Sequence, residues 1–461
     1  MRIRADLADE LVEGLRGIRR QFKVPTEFSA DVLSAADDAA KRAPTQHVDR
    51  TDWPFVTLDP ATSTDLDQAF HIETTGDDVL LHYAIADVAW FVDIGGLLDQ
   101  EAWERGTTQY LPDGKAGLYP PVLAEGAASL LPDGPRPAIV FHVRVAGDGQ
   151  SKLDGVERSV IRSKAKLAYE TVQPDQLPDA FAELGRRIAL AEDARGAARI
   201  EVLEQEMHAT GHGGYDLSFR PRLQSEDDNA AMSLATNLAI ADLLFAAGTG
   251  LFRIMPEPDA RAEQRLRHTA KALGIDWQAE TSLVEFERSL DGKSAKPAAL
   301  LMAIRRAGGG ASYVPFSAGQ HPWHSAMAAT YAHGTAPLRR LADRYVVMGA
   351  LAIANGQPLP DEIAAAFPKL PIVMGRADDM AGQIERAVID LAEVALLSSQ
   401  TQRTFTAVVT DVDDRGARIQ LCDLPVVSRV DAHHVEPGDD LRVRVVSTDI
   451  PGRSAKLERV A

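Results

Sequence analysis

Cysteine is almost missing from this chain: Cys422 is the only one in 461 residues. A single thiol excludes an intrachain disulfide framework and any zinc site built from cysteines. Long apolar runs are missing too. None approaches the ~18 residues that span a bilayer, and no signal-peptide pattern opens the chain, so the expectation is a cytoplasmic protein with no membrane partner. The third shortage is of positive charge. Lys and Arg number 49 against 67 Asp and Glu, giving a formal net charge of −18. That balance argues against a surface coated with nucleic acid, because phosphate binding needs clustered cations, but it leaves room for a local basic channel. The run Gly308-Gly309-Gly310 lacks the Lys-Ser/Thr of a nucleotide loop and reads as a hinge or turn.

What remains is the composition of an ordinary globular protein, with 45% hydrophobic and 25% charged residues, long enough for about three domains. Patterning predicts a mixed α+β fold in three parts. Residues 1–48 read as a small helical domain: Leu7, Leu11, Leu15, Ile18 and Phe22 recur at helical spacing, Pro25 breaks that helix, and Ser29 caps a second. Two short helices could form half of a helix-turn-helix, though a helical appendage is the commoner outcome. Residues 49–400 mix strands and helices, with helices predicted over 177–207, 228–247, 261–273 and 377–397. From Arg403 the texture changes to five short alternating strands, so residues 401–461 read as an OB-type β-barrel, a common single-strand binder. Arg442 and Arg444 alternate along one of its strands and share a face.

Three features carry chemistry. The apolar run Phe55-Val56-Thr57-Leu58 reads as a buried strand ending at Asp59, and a loop then carries Asp65 and Asp67. Extended backbone would send Asp65 and Asp67 out of one face. Such oxygen ligands suit Mg²⁺ or Mn²⁺, and the competing reading is a solvated acidic turn. Arg162, Lys164 and Lys166 interleave with apolar residues before Tyr169, a pattern that grips a nucleic-acid strand or forms a solvated strand face. Pro337 is placed for the first turn of a helix, which sets Arg339 and Arg340 at its N-terminus as a phosphate site or as ion-pair partners of the acidic surplus.

In this order the motifs resemble the ribonuclease II (RNB) family of processive 3′-to-5′ exoribonucleases. The resemblance rests on Asp59 to Gln68, Ile85-Ala86-Asp87-Val88, Arg105-Gly106, Tyr110-Leu111-Pro112, Ser129-Leu130, the segment Ile161 to Tyr169, and Thr335-Ala336-Pro337-Leu338-Arg339-Arg340. It covers most of residues 53–400, and the closing barrel is similar to the family's RNA-binding OB domain. The resemblance implies hydrolysis of single-stranded RNA from a free 3′ end to nucleoside 5′-monophosphates, by a monomer with no obligate protein partner. It implies that Asp59, Asp65 and Asp67 hold Mg²⁺, with Mn²⁺ as a substitute, and that Asp67 is the residue chemistry cannot lose. Arg339 would stabilise the transition state, Tyr110 and Tyr169 would stack on the terminal nucleotides, and Glu385 would influence product release. RNA contacts would also come from Arg162, Lys164, Lys166, Arg340, Arg442 and Arg444.

The chain departs from the family pattern at several points. Gln68 stands where a fourth aspartate is usual, an amide oxygen that can coordinate a hard cation without adding charge. Ala84 replaces a common histidine, paired glutamates are missing near Asn229 to Met232, and residues 1–48 are too few for the family's two N-terminal OB domains. Gln68 therefore keeps open a second reading, an RNA-binding protein that has lost turnover. A DNA-binding regulator using the N-terminal helices is a third, opposed by the acidic balance.

Overall fold

The long alternating runs form the heart of a five-stranded sheet in the computed structural model, which describes residues 7–197, 204–209, 215–220, 222–290, 295–413 and 416–460. Its strand order is Val48–Arg50, Ser151–Ile161, Arg136–Val145, Asp78–Ala86, Gln68–Thr75, antiparallel except for the first pair. Tyr83, Ile85, Ile139 and Phe141 are fully buried in the core beneath it. The helix Gln224–Ala246 covers this core. By length and composition alone it could cross a membrane, but Met232, Ala235, Ile240 and Leu244 are buried against the sheet, which accounts for its apolar character.

The helix Leu341–Ala354 is pinned beside the helix Leu97–Arg105 by a buried ion pair between Arg344 and Asp99. Asp99 also accepts from the Tyr345 hydroxyl at 2.9 Å and from Gly95 N at 2.7 Å, so its charge is fully solvated by protein donors. Pro337 lies before the helix rather than in its first turn. Residues 336–340 form a tight turn, and Arg340 is the extended residue that precedes the first helical turn.

The two N-terminal helices pack on different parts of the molecule. Leu11, Leu15 and Ile18 of the helix Ala8–Gln21 join Leu391 and the barrel residues in one cluster, while Val32, Ala36 and Ala39 of the helix Ala30–Ala40 join the sheet core. Gly14 is small for a reason, since a Cβ there would lie 2.7 Å from the Leu391 side chain. Ser29 accepts from Val32 N, as its capping position predicts. Arg105 fixes the connection between the helices, donating to the Glu27 carbonyl at 2.8 Å and lying 3.8 Å from the Phe28 ring centre.

The stretch predicted as helix to Met207 ends earlier. Gly196, left-handed at φ 78°, stops the helix Phe181–Arg195, and Glu204–Ala209 is a strand paired with Tyr215–Arg220. Residues 404–460 form a closed five-stranded barrel, joined to the body by the long helix Leu370–Ser398. Glu393 of that helix is buried at the joint, accepting from Val427 N at 2.7 Å and from the Gln205 amide at 2.6 Å. Burial raises its carboxyl to about 7. A raised acid stabilises the fold fully below its unfolded value and loses that contribution as pH climbs through 7. Glu393→Gln keeps the acceptor without the charge. Its melting temperature is expected to exceed that of the parent increasingly from pH 5 to pH 8, by up to about 3 kcal/mol of stability. A gap independent of pH in thermal melts would contradict this.

Candidate active site

The strand Thr57–Asp59 pairs in parallel with Lys166–Ala168, which places Asp59 opposite Ala168 and brings Tyr169 N to the Asp59 carbonyl at 3.2 Å. The loop that follows is tied down along its length. Lys166 donates to the Ala61 carbonyl at 2.9 Å, and the Ser129 hydroxyl donates to Thr64 O at 2.7 Å while accepting from Leu66 N at 2.9 Å. Leu66 is fully buried. With Leu66 pointing inward, Asp65 and Asp67 leave on the other side, as the period of two predicts.

Asp67 is buried and doubly held. Its Oδ1 accepts from Leu338 N at 2.7 Å and its Oδ2 from Arg339 Nε at 3.0 Å. Burial drives its carboxyl up to about 7, opposed by the Arg339 charge and the Leu338 donor. Asp59 is likewise pushed to about 7, by burial, with Asp67 and Asp65 adding repulsion. Among the described residues no donor hydrogen-bonds the Asp59 carboxylate. Three carboxylates that repel one another, one of them without a protein hydrogen bond, offer the hard oxygen donors that a divalent cation takes, and its charge would offset the repulsion. Asp59, Asp65 and Asp67 are the residues that would hold it.

Asp65 receives two donors that arrive together. Gln109–Leu111 and Gly114–Ala116 form a short hairpin in which Tyr110 and Lys115 are cross-strand partners, so both face the loop. Tyr110 donates its hydroxyl to Asp65 Oδ2 at 2.9 Å, and Lys115 Nζ lies 2.8 Å from Asp65 Oδ1. Lys115 also sits 3.2 Å from Glu125, which accepts from Thr64 at 2.9 Å. Neither Lys115 nor Glu125 was visible as a site residue in the sequence. The Tyr110 ring is 55% exposed, an open aromatic face beside the acidic loop.

Consecutive arginines separate because the turn that holds Arg339 gives way to extended backbone at Arg340. Thr108 N donates to Arg339 O and Leu341 N to Gly106 O, forming a bridge between Thr107 and Arg340. Arg339 points to Asp67 through Nε alone, and both terminal nitrogens lack a protein acceptor among the described residues. Its side chain is 44% exposed, open to an incoming anion. Arg340 turns the other way and forks onto buried Asp343, at 3.0 Å and 2.7 Å, so its predicted RNA contact gives way to an internal ion pair.

Gln68 is corrected in the same sense. Its amide oxygen accepts from the Tyr83 hydroxyl and, at 3.3 Å, from Ser233, while its nitrogen donates to the Thr335 carbonyl at 2.7 Å. The nitrogen ties Gln68 to the segment that carries Arg339, and the oxygen is taken up by Tyr83 and Ser233, which makes Gln68 a brace and not a metal ligand. Tyr169 is positioned by Asn229, whose amide donates to its hydroxyl at 2.7 Å. Lys164 and Lys166 donate to the carbonyls of Thr51 and Ala61, whereas Arg162 is exposed. Glu385 is exposed on the long helix, and no hydrogen bond links it to the carboxylates. On the barrel Arg442 is exposed, while Arg444 is paired with Glu458. Asp87 of the second motif is fully buried between His47 and Arg158, a structural role.

Residues 47–348 match the RNB domain, and residues 403–460 match the RNase II-type exonuclease C-terminal S1 domain. Ribonuclease R of Thermotoga maritima is 26% identical over 92% of this chain and 63% of its own length. Exoribonuclease 2 of Pectobacterium atrosepticum is 28% identical over 81% of this chain and 61% of its own. The chain thus spans about three fifths of the curated relatives it matches. Among solved structures, apo RNase R of Mycoplasma genitalium superposes with a TM-score of 0.87 at 20% identity, covering 98% of this chain and 78% of that one. Yeast Ssd1, described as a pseudonuclease, superposes at 0.67 with 16% identity, over 92% of this chain and 54% of that one.

Proposed function

The chain belongs to the RNB family, and from that premise we propose that it is a divalent-metal-dependent 3′-to-5′ exoribonuclease. It degrades single-stranded RNA processively to nucleoside 5′-monophosphates. One observation carries the reading: Arg339 is anchored on Asp67 by Nε and keeps its two terminal nitrogens for a phosphate. The names Ribonuclease R and Exoribonuclease 2 borne by the curated relatives, and the M. genitalium RNase R structure solved with ribose-methylated single-stranded RNA, support the substrate class.

A divalent cation held by Asp59, Asp65 and Asp67 would supply Lewis-acid polarisation of the phosphate and lower the pKa of an attacking water. The protein's own groups do the rest. Asp59, Asp65 and Asp67 present hard oxygens from a strand end and a loop tied by hydrogen bonds, so little reorganisation is needed when charge develops. Arg339 stabilises the extra negative charge on the phosphate in the transition state. Tyr110 offers its exposed ring for base stacking, and Tyr169, oriented by Asn229, flanks the same site.

The test is incubation with 3′- and 5′-labelled single-stranded RNA in Mg²⁺ or EDTA. Mononucleotide release from the 3′ end, stopped by EDTA, is the expected result. Binding without turnover in either Mg²⁺ or Mn²⁺ would instead establish the second reading, an RNA-binding protein without turnover, which the braced Gln68 favours.

Lys115 leads to a separate expectation. Its ammonium offsets the carboxylates, so Lys115→Met should destabilise the metal-free protein by ~1 kcal/mol and enlarge the thermal shift produced by Mn²⁺. Melts with and without Mn²⁺ read both effects, and an unchanged shift would remove Lys115 from the electrostatics of the site.

A further inference from the structure

A second group of metal-binding side chains lies on the sheet face opposite Gln68 and Tyr83. His71 and Glu73 are two residues apart on the strand Gln68–Thr75 and so share a face. His82 is the register partner of His71, and His142 is the register partner of His82. Three imidazoles therefore form a row across three neighbouring strands, with Glu73 beside the first two. His82 Nε2 is 2.6 Å from Glu73 Oε1, and His71 Nε2 is 3.9 Å from the same oxygen. The ligand atoms of His71, Glu73 and His82 all lie within 4.8 Å of one another. Trp53 packs edge-on against His82, with ring centres 4.6 Å apart, and closes one side of the group.

His82 Nδ1 and His142 Nδ1 are 2.7 Å apart, and only one of them carries the shared proton. When His82 donates, its Nε2 presents a bare lone pair to the Glu73 carboxylate at hydrogen-bond distance, a repulsive arrangement that a cation between them resolves. A second-ring N–H donated to an outer acceptor is the pattern that orients a metal-ligating histidine, and His142 is that acceptor, with its far nitrogen 3.9 Å from Glu157. When His142 donates instead, His82 donates to Glu73 and the network closes without an ion.

We propose that His71 Nε2, His82 Nε2 and Glu73 Oε1 form a binding site for a transition-metal dication of the Zn²⁺ class, with His142 as the outer partner of His82. Two imidazoles and one carboxylate suit Zn²⁺, and they disfavour Mg²⁺, which prefers oxygen alone. Three protein ligands leave one tetrahedral position for water, and the 49% exposure of Glu73 provides the route in. Burial lowers the basicity of all three histidines, so the ion displaces little proton at neutral pH. The site is independent of RNA cleavage, because none of its ligands belongs to the acidic loop.

The experiment uses the full chain carrying Asp67→Asn, which weakens competition from the acidic loop, stripped of metal by chelation and titrated with Zn²⁺ by calorimetry and thermal melting. One saturating equivalent with micromolar or tighter affinity is expected, together with a rise in melting temperature that Mg²⁺ does not reproduce. His71→Ala and Glu73→Gln, both at positions with solvent access, should each weaken Zn²⁺ binding at least about tenfold, while their metal-free melting temperatures stay close to that of the parent. The proposal is overturned by the absence of saturable Zn²⁺ binding, by equal stabilisation with Mg²⁺, or by full affinity in His71→Ala.

Discussion

Asp67→Asn should slow nucleotide release by at least about 10³-fold while leaving RNA affinity within a few-fold of the parent. Asparagine has the same shape, so its Oδ1 can still accept from Leu338 N, where Asp67 now accepts at 2.7 Å. Its amide nitrogen would then face Arg339 Nε, donor against donor, where the carboxylate now accepts at 3.0 Å. One substitution thus removes a proposed metal ligand and releases the arginine that the proposed function aims at the phosphate. On the proposed function RNA is gripped by stacking and backbone contacts outside this carboxylate, so affinity is spared. Single-turnover cleavage compared with equilibrium binding of the same labelled RNA gives the answer. A variant that loses affinity and rate in equal measure would show that Asp67 serves binding instead.

Arg339→Lys and Arg340→Ala should fail in opposite ways. Lysine at 339 keeps a charge but has no fork, and it cannot hold Asp67 and a phosphate at once; a loss of about 10²–10³ in kcat with little change in stability is expected. Arg340 holds Asp343, which is fully buried and also accepts from Ala336 N at 2.9 Å. Removing Arg340 leaves that carboxylate uncompensated, a cost of about 3–5 kcal/mol that appears in the melting temperature. Paired measurements of kcat and unfolding on the two variants discriminate these roles. Equal losses of rate without destabilisation would return Arg340 to RNA binding.

The sequence made some of this legible because some signals are local. Asp59, Asp65 and Asp67 stand around one strand exit, Leu66 between them sets the period, and the five short strands after Arg403 alternate cleanly enough to announce a barrel. The structural roles that stayed hidden depend on partners far away in the chain. Gln68 looks like a ligand beside Asp67 until Tyr83, Ser233 and Thr335 claim its amide. Lys115 lies in a Pro/Gly-rich stretch that reads as a loop, and only the hairpin register places it opposite Tyr110 and on Asp65. The identical charges of Arg339 and Arg340 hide a change from turn to extended backbone between them. The histidine row is hidden for the same reason, since His71, His82 and His142 become neighbours only when three strands pair.

The packing of the first helix bears on how a ribosome delivers this protein. Leu11, Leu15 and Ile18 are covered by residues around Leu391, and Arg453 of the barrel reaches Gln21 at 2.5 Å. About 370 residues must be translated between an apolar stripe and its cover, which at typical rates takes on the order of tens of seconds. During that interval the stripe is exposed on the nascent chain, a natural target for holdase chaperones.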